Sequence, residues 1–180
     1  MTASQRSTPP KPSRINECWA MDFMRDNLAN GRKIRLLNVH DSSTKEYLGF
    51  EVDRSINGKR VCRVLDIALY GRKESRITVD NGPEFISNAL DAWAFQHDVK
   101  LVFNKPGTPV DNAFIESFNG RVRDECLNMS WFLSLDHASA VIAEWKEDYN
   151  TMRPHSALGG LTPEEFLAQQ TEYFQLQVAQ

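Results

Sequence analysis

Apolar and polar residues alternate with a strand-like period through ECWAMDFMRDNL (17–28), IRLLNVHDSST (34–44) and KEYLGFEVDRS (45–55). In the third stretch Tyr47, Gly49 and Glu51 are expected on one face and Leu48, Phe50 and Val52 on the other. Between the first two lies NGRK, a hairpin signal, because Asn30-Gly31 accepts positive φ at both central positions. These three stretches predict an antiparallel meander.

The period then changes. In NGKRVCRVLDIALYG (57–71) Val61, Val64, Leu65, Ala68 and Leu69 recur at helical spacing, and Gly71 supplies the stop. RITVD (76–80) is a short buried strand ending on Asp80. NGPEF turns the chain into a helix over 85–98, with Phe85, Leu90, Trp93 and Ala94 on one face. KLVF (100–103) is a fifth strand. A Pro-Gly loop follows and opens onto a helix over 111–127, capped by Asp111, with Phe114, Ile115, Phe118 and Val122 turned to the core. Ser134 caps the next helix. Thr162, Pro163 and Glu165 open a terminal one as a capping box. The order β-β-β-α-β-α-β-α-α-α predicts an α/β domain with a mixed five-stranded sheet and helices on both faces. Residues 1–14, polar and rich in Pro, read as a disordered lead or linker, 15–170 as the core and 171–180 as a tail.

Composition narrows the class. The 180 residues suffice for one domain with a real core, and no apolar run approaches the ~20 residues of a membrane helix. Cys18, Cys62 and Cys126 are far apart and odd in number, which fits buried thiols in a reducing cytosol. No CxxC or HxxxH pair suggests a zinc site. Trp93, Trp131 and Trp145 are expected to pack. Net charge is −3, but residues 1–76 hold 15 Lys and Arg against 9 Asp and Glu, and residues 77–180 hold 6 against 15. A basic half suits phosphate and an acidic half suits a cation; an uneven solvated surface explains the same counts.

Three acids stand out by position. Asp22 lies inside the first strand, where a charge is costly unless paired or metal-bound. Asp80 ends the fourth strand, at the edge where α/β sheets commonly bind ligands. Glu116 lies on the helix after the fifth strand, with 35 residues between it and Asp80. Each has a plain explanation alone: a strand edge, an Asx turn, a solvated helix face. Together they converge from three elements. Three close carboxylates repel, and a divalent cation relieves that repulsion; hard oxygen ligands suit Mg²⁺ or Mn²⁺.

The stretches WAMDF, TVDNGPEF, PGTPVDNAFIESFNGRVRDECLN and YNTMRPHSALGGLTPEEF resemble the catalytic core of bacterial insertion-sequence transposases and retroviral integrases, the Asp-Asp-Glu recombinases. The closing RPHSALGGLTP resembles the transposase branch. The resemblance runs from about residue 17 to 167. It implies a ribonuclease H-like fold, with Asp22, Asp80 and Glu116 as catalytic metal ligands for two Mg²⁺ or Mn²⁺ ions. It also implies DNA as partner (element ends and target), a homo-oligomer when active, and a bacterial cytoplasmic setting. Relatives usually carry a helix-turn-helix that nothing in this sequence supplies. By the same resemblance Asn119 and Arg123, on one helix face with Glu116 at i, i+3 and i+7, are expected along the DNA backbone. Arg121, Lys105 and Asn112 are expected near it. Surface pairing of Arg121 and Arg123 with Asp124 or Glu125 is the plain alternative for those two. His155 is open between packing and DNA. A nuclease of the same fold without strand transfer, or an inactive nucleic-acid-binding remnant, are the competing functions.

Overall fold

Parity along the central strand sorts the whole domain. In β1 (Trp19–Asn27) the odd residues Trp19, Met21 and Phe23 join one core cluster, while Ala20 and Met24 join another on the opposite face. The computed structural model describes residues 15–73, 76–104 and 113–178. It also contains β2 (Lys33–Asp41), β3 (Tyr47–Asp53), β4 (Arg76–Val79) and β5 (Lys100–Phe103). The sheet order is β3-β2-β1-β4-β5. The first three strands are antiparallel, and β4 and β5 are parallel to β1. The mixed five-stranded α/β sheet expected from the sequence is therefore present, with β1 at its centre.

Helices cover both faces. The first cluster packs under α1 (Gly58–Ala68) and α2 (Asn88–His97), through Val61, Leu65, Leu90 and Trp93. The second packs under α3 (Ala113–Val122) and α4 (Leu135–Thr151), through Ile115, Phe118, Ile142 and Trp145. A capping box opens α5 (Pro163–Val178): Glu165 N–H donates to Thr162 Oγ1 (3.2 Å) and Thr162 N–H to Glu165 Oε2 (2.9 Å). The helix continues to Val178, so a boundary at 170 falls inside it.

Several local expectations are corrected. The β1–β2 connection is a five-residue loop, not a two-residue turn. Gly31 has φ +79° and Asn30 is not left-handed, and Gly31 N–H bonds back to the Leu28 carbonyl (2.8 Å). Strict alternation fails in β3, where the β2 pairing shifts at His40 and Tyr47. This bulge turns Tyr47 to the same side as Phe50 and Val52, and Leu48 to the other. Residues 83–87 form turns that bury Phe85, and α2 begins only at Asn88, capped by Ser87. Strand β4 ends at Val79, one residue before Asp80. Phe114 is 39% exposed and Trp131 76% exposed, whereas Trp93 and Trp145 are buried. After Val122 the helix widens into a π-helical stretch over Arg123–Leu127 that buries Cys126 and Leu127. Asp111 lies outside the described residues.

Candidate active site

The face of β1 that carries Ala20 and Met24 also carries Asp22, and it is the face covered by α3. Pairing of β1 with β4 runs Trp19 to Ile77 and Ala20 to Thr78. Continued by two residues, that offset sets Asp80 beside Asp22 where the strands part. Glu116 is in the first turn of α3, exposed above the same face.

Asp22 is half-buried and held at both oxygens. Phe23 N–H donates to Oδ1 (2.8 Å) and Asn119 Nδ2 to Oδ2 (2.8 Å). Burial pushes its carboxyl up from 3.8 to about 6. The charges of Asp80 and Glu116 push in the same direction, against the two hydrogen bonds. Asp80 Oδ1 accepts from Gly82 N–H (2.8 Å). A side chain at 82 would put its Cβ 2.9 Å from that oxygen, so the close approach requires glycine. Asn81 leaves Asp80 alone and donates to the Asn104 carbonyl (2.8 Å), tying the end of β4 to the end of β5. Arg35 on β2 stacks over Phe23 (4.1 Å) and pairs with Glu84, fixing the far end of the NGPEF turn.

Behind Asp22 runs a buried polar chain. Tyr47 Oη donates to Asn38 Oδ1 (2.6 Å), Asn38 Nδ2 to Asn119 Oδ1 (2.9 Å), and Asn119 completes it at Asp22. Asn38 sits opposite Asp22 in the β1–β2 register. Asn150 on α4 anchors the far end, accepting from Tyr47 N–H (2.8 Å) and donating to its carbonyl (3.0 Å). Sequence reasoning missed Asn38 and Tyr47. The available signal was an amide inside the apolar run IRLLNV.

The other expected DNA contacts divide. Asn119 is buried, and its amide is committed to Asp22 and Asn38 rather than presented outward. Arg123 pairs with Asp26 (2.9 Å) and also donates to the Arg25 carbonyl, clamping the π-helical stretch to β1. Neither arginine pairs with Asp124 or Glu125; Glu125 binds Arg153. Arg121 is exposed with no ion pair to a described residue. Lys105 and Asn112 lie outside the described residues. His155 is buried and bridges to Leu161.

The donor set is all oxygen, and Asp22 senses two further carboxylates, which suits a hard divalent cation. Among the described residues no three His, Cys, Asp or Glu are drawn together tightly enough to hold an ion. The three acids thus share a field without forming a closed coordination shell.

A mixed sheet of this order, with acids on the central strand, after its parallel neighbour and on the helix above, defines a ribonuclease H-like polynucleotidyl-transfer fold. The chain belongs to the integrase core domain family: that family's pattern matches residues 12–109, and a second integrase core domain pattern matches residues 97–163. It is 51% identical over 158 residues to a protein of insertion element IS407 from Burkholderia multivorans, covering 87% of this chain and 57% of that protein. It is 30% identical over 155 residues to transposase InsF of insertion sequence IS3A from Escherichia coli, covering 84% of this chain and 54% of that protein. The chain spans about half the length of the curated relatives it matches. In fold it is similar to the HTLV-2 integrase catalytic core domain solved in complex with magnesium, with a TM-score of 0.65 and 19% identity over 84% of this chain and 95% of that one. A chain of the simian T-cell lymphotropic virus intasome gives a TM-score of 0.71 at 17% identity, over 91% of this chain and 60% of that one.

Proposed function

We propose that this chain is the catalytic core of a DNA transposase, cutting at the ends of an insertion element and joining them to target DNA. The observation that carries the reading is Asp22. Its carboxyl is raised by burial and then by Asp80 and Glu116, so three acids from three elements act on one another at one sheet edge. Family membership and similarity to insertion-sequence proteins support the same reading.

Asp22, Asp80 and Glu116 would hold Mg²⁺ or Mn²⁺, as a pair of ions. Bound ions would offset the carboxylate repulsion and the charge that develops on phosphorus. The chain's own groups do the rest. Asn119 and the Phe23 N–H fix the two Asp22 oxygens, so the carboxylate is aimed before any ligand arrives. Gly82 N–H fixes Asp80 while keeping the space above it open. The reaction is an in-line displacement at phosphorus. Water attacks a phosphodiester at the element end and a 3′-hydroxyl leaves; that hydroxyl then attacks a target phosphodiester and displaces its 3′-oxygen. Arg121 is the described basic residue best placed for DNA. The active form would be at least a dimer, since two ends must be joined, acting in a bacterial cytoplasm. Among the described residues no helix is long and apolar enough to cross a membrane.

The test is a strand-transfer assay with pre-cut element ends, a plasmid target and Mg²⁺ or Mn²⁺. Joined products support a transposase; cleavage alone makes the chain a nuclease. Asp80→Asn should remove product by at least about a hundredfold with the melting curve unchanged. Equal activity in that variant takes Asp80 out of the chemistry.

A further inference from the structure

The side of α3 turned away from Glu116 borders a second concavity. At about 100° per residue, Arg121 lies some 140° around the helix from Glu116, and Phe114, Ser117 and Phe118 lie on its side. A groove of about 430 Å³ opens between this face, the β2–β3 turn and the segment around His155. Its polar lining has one sign. It contains the cations Lys45 and Arg121, two imidazoles and four serine hydroxyls, and no carboxylate.

The cations are set in place without being neutralised there. Lys45 lies over the Phe114 ring (4.0 Å), with its ammonium donating to the Ser42 carbonyl. The acids beyond the groove, Glu125 and Asp148, are both taken by Arg153. His155 is 5% exposed, and its Nε2 has no hydrogen-bond partner among the described residues. Burial pushes His40 down to about 3, and Lys45, His155 and Arg121 push it the same way. His155 is also held low, by burial first and then by Arg121. So four basic groups crowd one groove of a chain whose net charge is −3. An anion with several acceptor oxygens is the ligand such a donor-only lining fits.

We propose that this groove takes a backbone phosphate of DNA, at a site separate from the three acids. The proposal rests on the DNA reading above. Its place on α3 follows: one helix offers acids on one side and a phosphate seat on the other, so bound DNA is gripped away from the point of cleavage. Phosphate contacts of this kind position a strand without reading its sequence.

Binding of a short labelled duplex to the full chain, followed by anisotropy across a KCl series, tests it. Arg121→Glu and Lys45→Glu should each weaken binding at least tenfold and lower the slope of log K against log[KCl] by about 1. Arg121→Gln, which only removes charge from an exposed position, should give the same slope change with a smaller affinity loss. Lys59→Glu, on α1 across the sheet, should leave the slope intact. A wild-type chain that binds DNA while the groove variants keep its slope overturns the groove and spares the transposase reading. A wild-type chain that binds no DNA at any salt overturns both. Inorganic phosphate that saturates the groove, read by His155 NMR shifts, without displacing DNA makes it a free-anion site and also overturns the proposal.

Discussion

The two faces of the sheet do different work. Under α1 and α2 the core is aliphatic and aromatic throughout: Trp19, Leu37, Val39, Leu65, Ile77 and Leu90 are all buried among one another. Under α3 and α4 the same burial is interrupted by polar groups. Asn38, His40 and Asn119 are each under 9% exposed, and Tyr47 is fully buried with its hydroxyl bonded to Asn38. An apolar face needs only volume to be filled, and it tolerates rearrangement. A polar chain is satisfied by one arrangement, because each amide must meet the right partner or lose a hydrogen bond in a dry place. The first face supplies stability in bulk, and the second fixes where the Asp22 carboxylate points.

The sharpest way to break this comparison is to damage each face and read both stability and activity. Leu37→Ala, in the fully buried apolar cluster, should cost about 2–5 kcal/mol, roughly 5–15 °C in Tm (thermal denaturation), while cleavage by the folded fraction below Tm stays near wild type. Asn119→Ala should cost about 1–3 kcal/mol, since it strands the Asn38 amide. Its cleavage rate should drop more than its stability suggests, about ten- to a hundredfold, because the Asp22 oxygen loses its donor. If the two variants lose activity only in proportion to stability, the faces are not functionally distinct.

Much of this was legible beforehand, for a physical reason. Apolar period alone gives the strand and helix order, and the strand order follows because a meander followed by two crossovers leaves β1 in the middle. Asp22, Asp80 and Glu116 were legible because a charge inside a central strand or at a parallel strand's end has few inexpensive explanations. What escaped depended on pairing rather than pattern. The bulge opposite His40 sends Tyr47 to the α3 side, and nothing in KEYLGFEVD marks it. Asn119 and Arg123 share a helix face with Glu116, so spacing suggested one role for all three. In three dimensions that face lies over β1, where Asp22 and Asp26 capture the other two. Helical spacing says which residues are neighbours; it does not say which of them meets another element first.

The next prediction concerns protons. Because the folded-state carboxyl of Asp22 lies at about 6 against 3.8 unfolded, the native chain holds a proton there between about pH 4 and 6. That contribution to stability is present at low pH and lost as pH rises through 6. His40 works the other way: its folded value near 3 lies below the ordinary 6.5, so its contribution is present above 6.5 and lost as pH falls. The two overlap in a simple pH melt, and addition of Mg²⁺ separates them. A cation bound at Asp22 must displace that proton, so apparent Mg²⁺ affinity should fall about tenfold per pH unit below 6 and level off above it. Thermal shift with and without Mg²⁺ at pH 5 to 8 reads this directly. A pH-independent shift would remove Asp22 from the ion site.

The smallest effect asks how far the polar chain reaches. Tyr47→Phe keeps the ring that packs against Phe118 (4.8 Å) and Trp145 (6.0 Å) and deletes only the hydroxyl. Burial raises the phenol well above its usual range, so Tyr47 remains a proton donor at every working pH. Removing it leaves Asn38 Oδ1 without its donor, a loss of about 1 kcal/mol. Asn38 still holds Asn119 from its other side, so Asp22 should stay aimed and cleavage should change less than about threefold. That outcome confines the chemical role to the last link, Asn119 to Asp22, and leaves Tyr47 a support for the α3 face. A loss matching that of Asn119→Ala would instead mean that the whole chain sets the Asp22 carboxylate as one unit. The division between an apolar side that only holds and a polar side that aims would then extend out to β3.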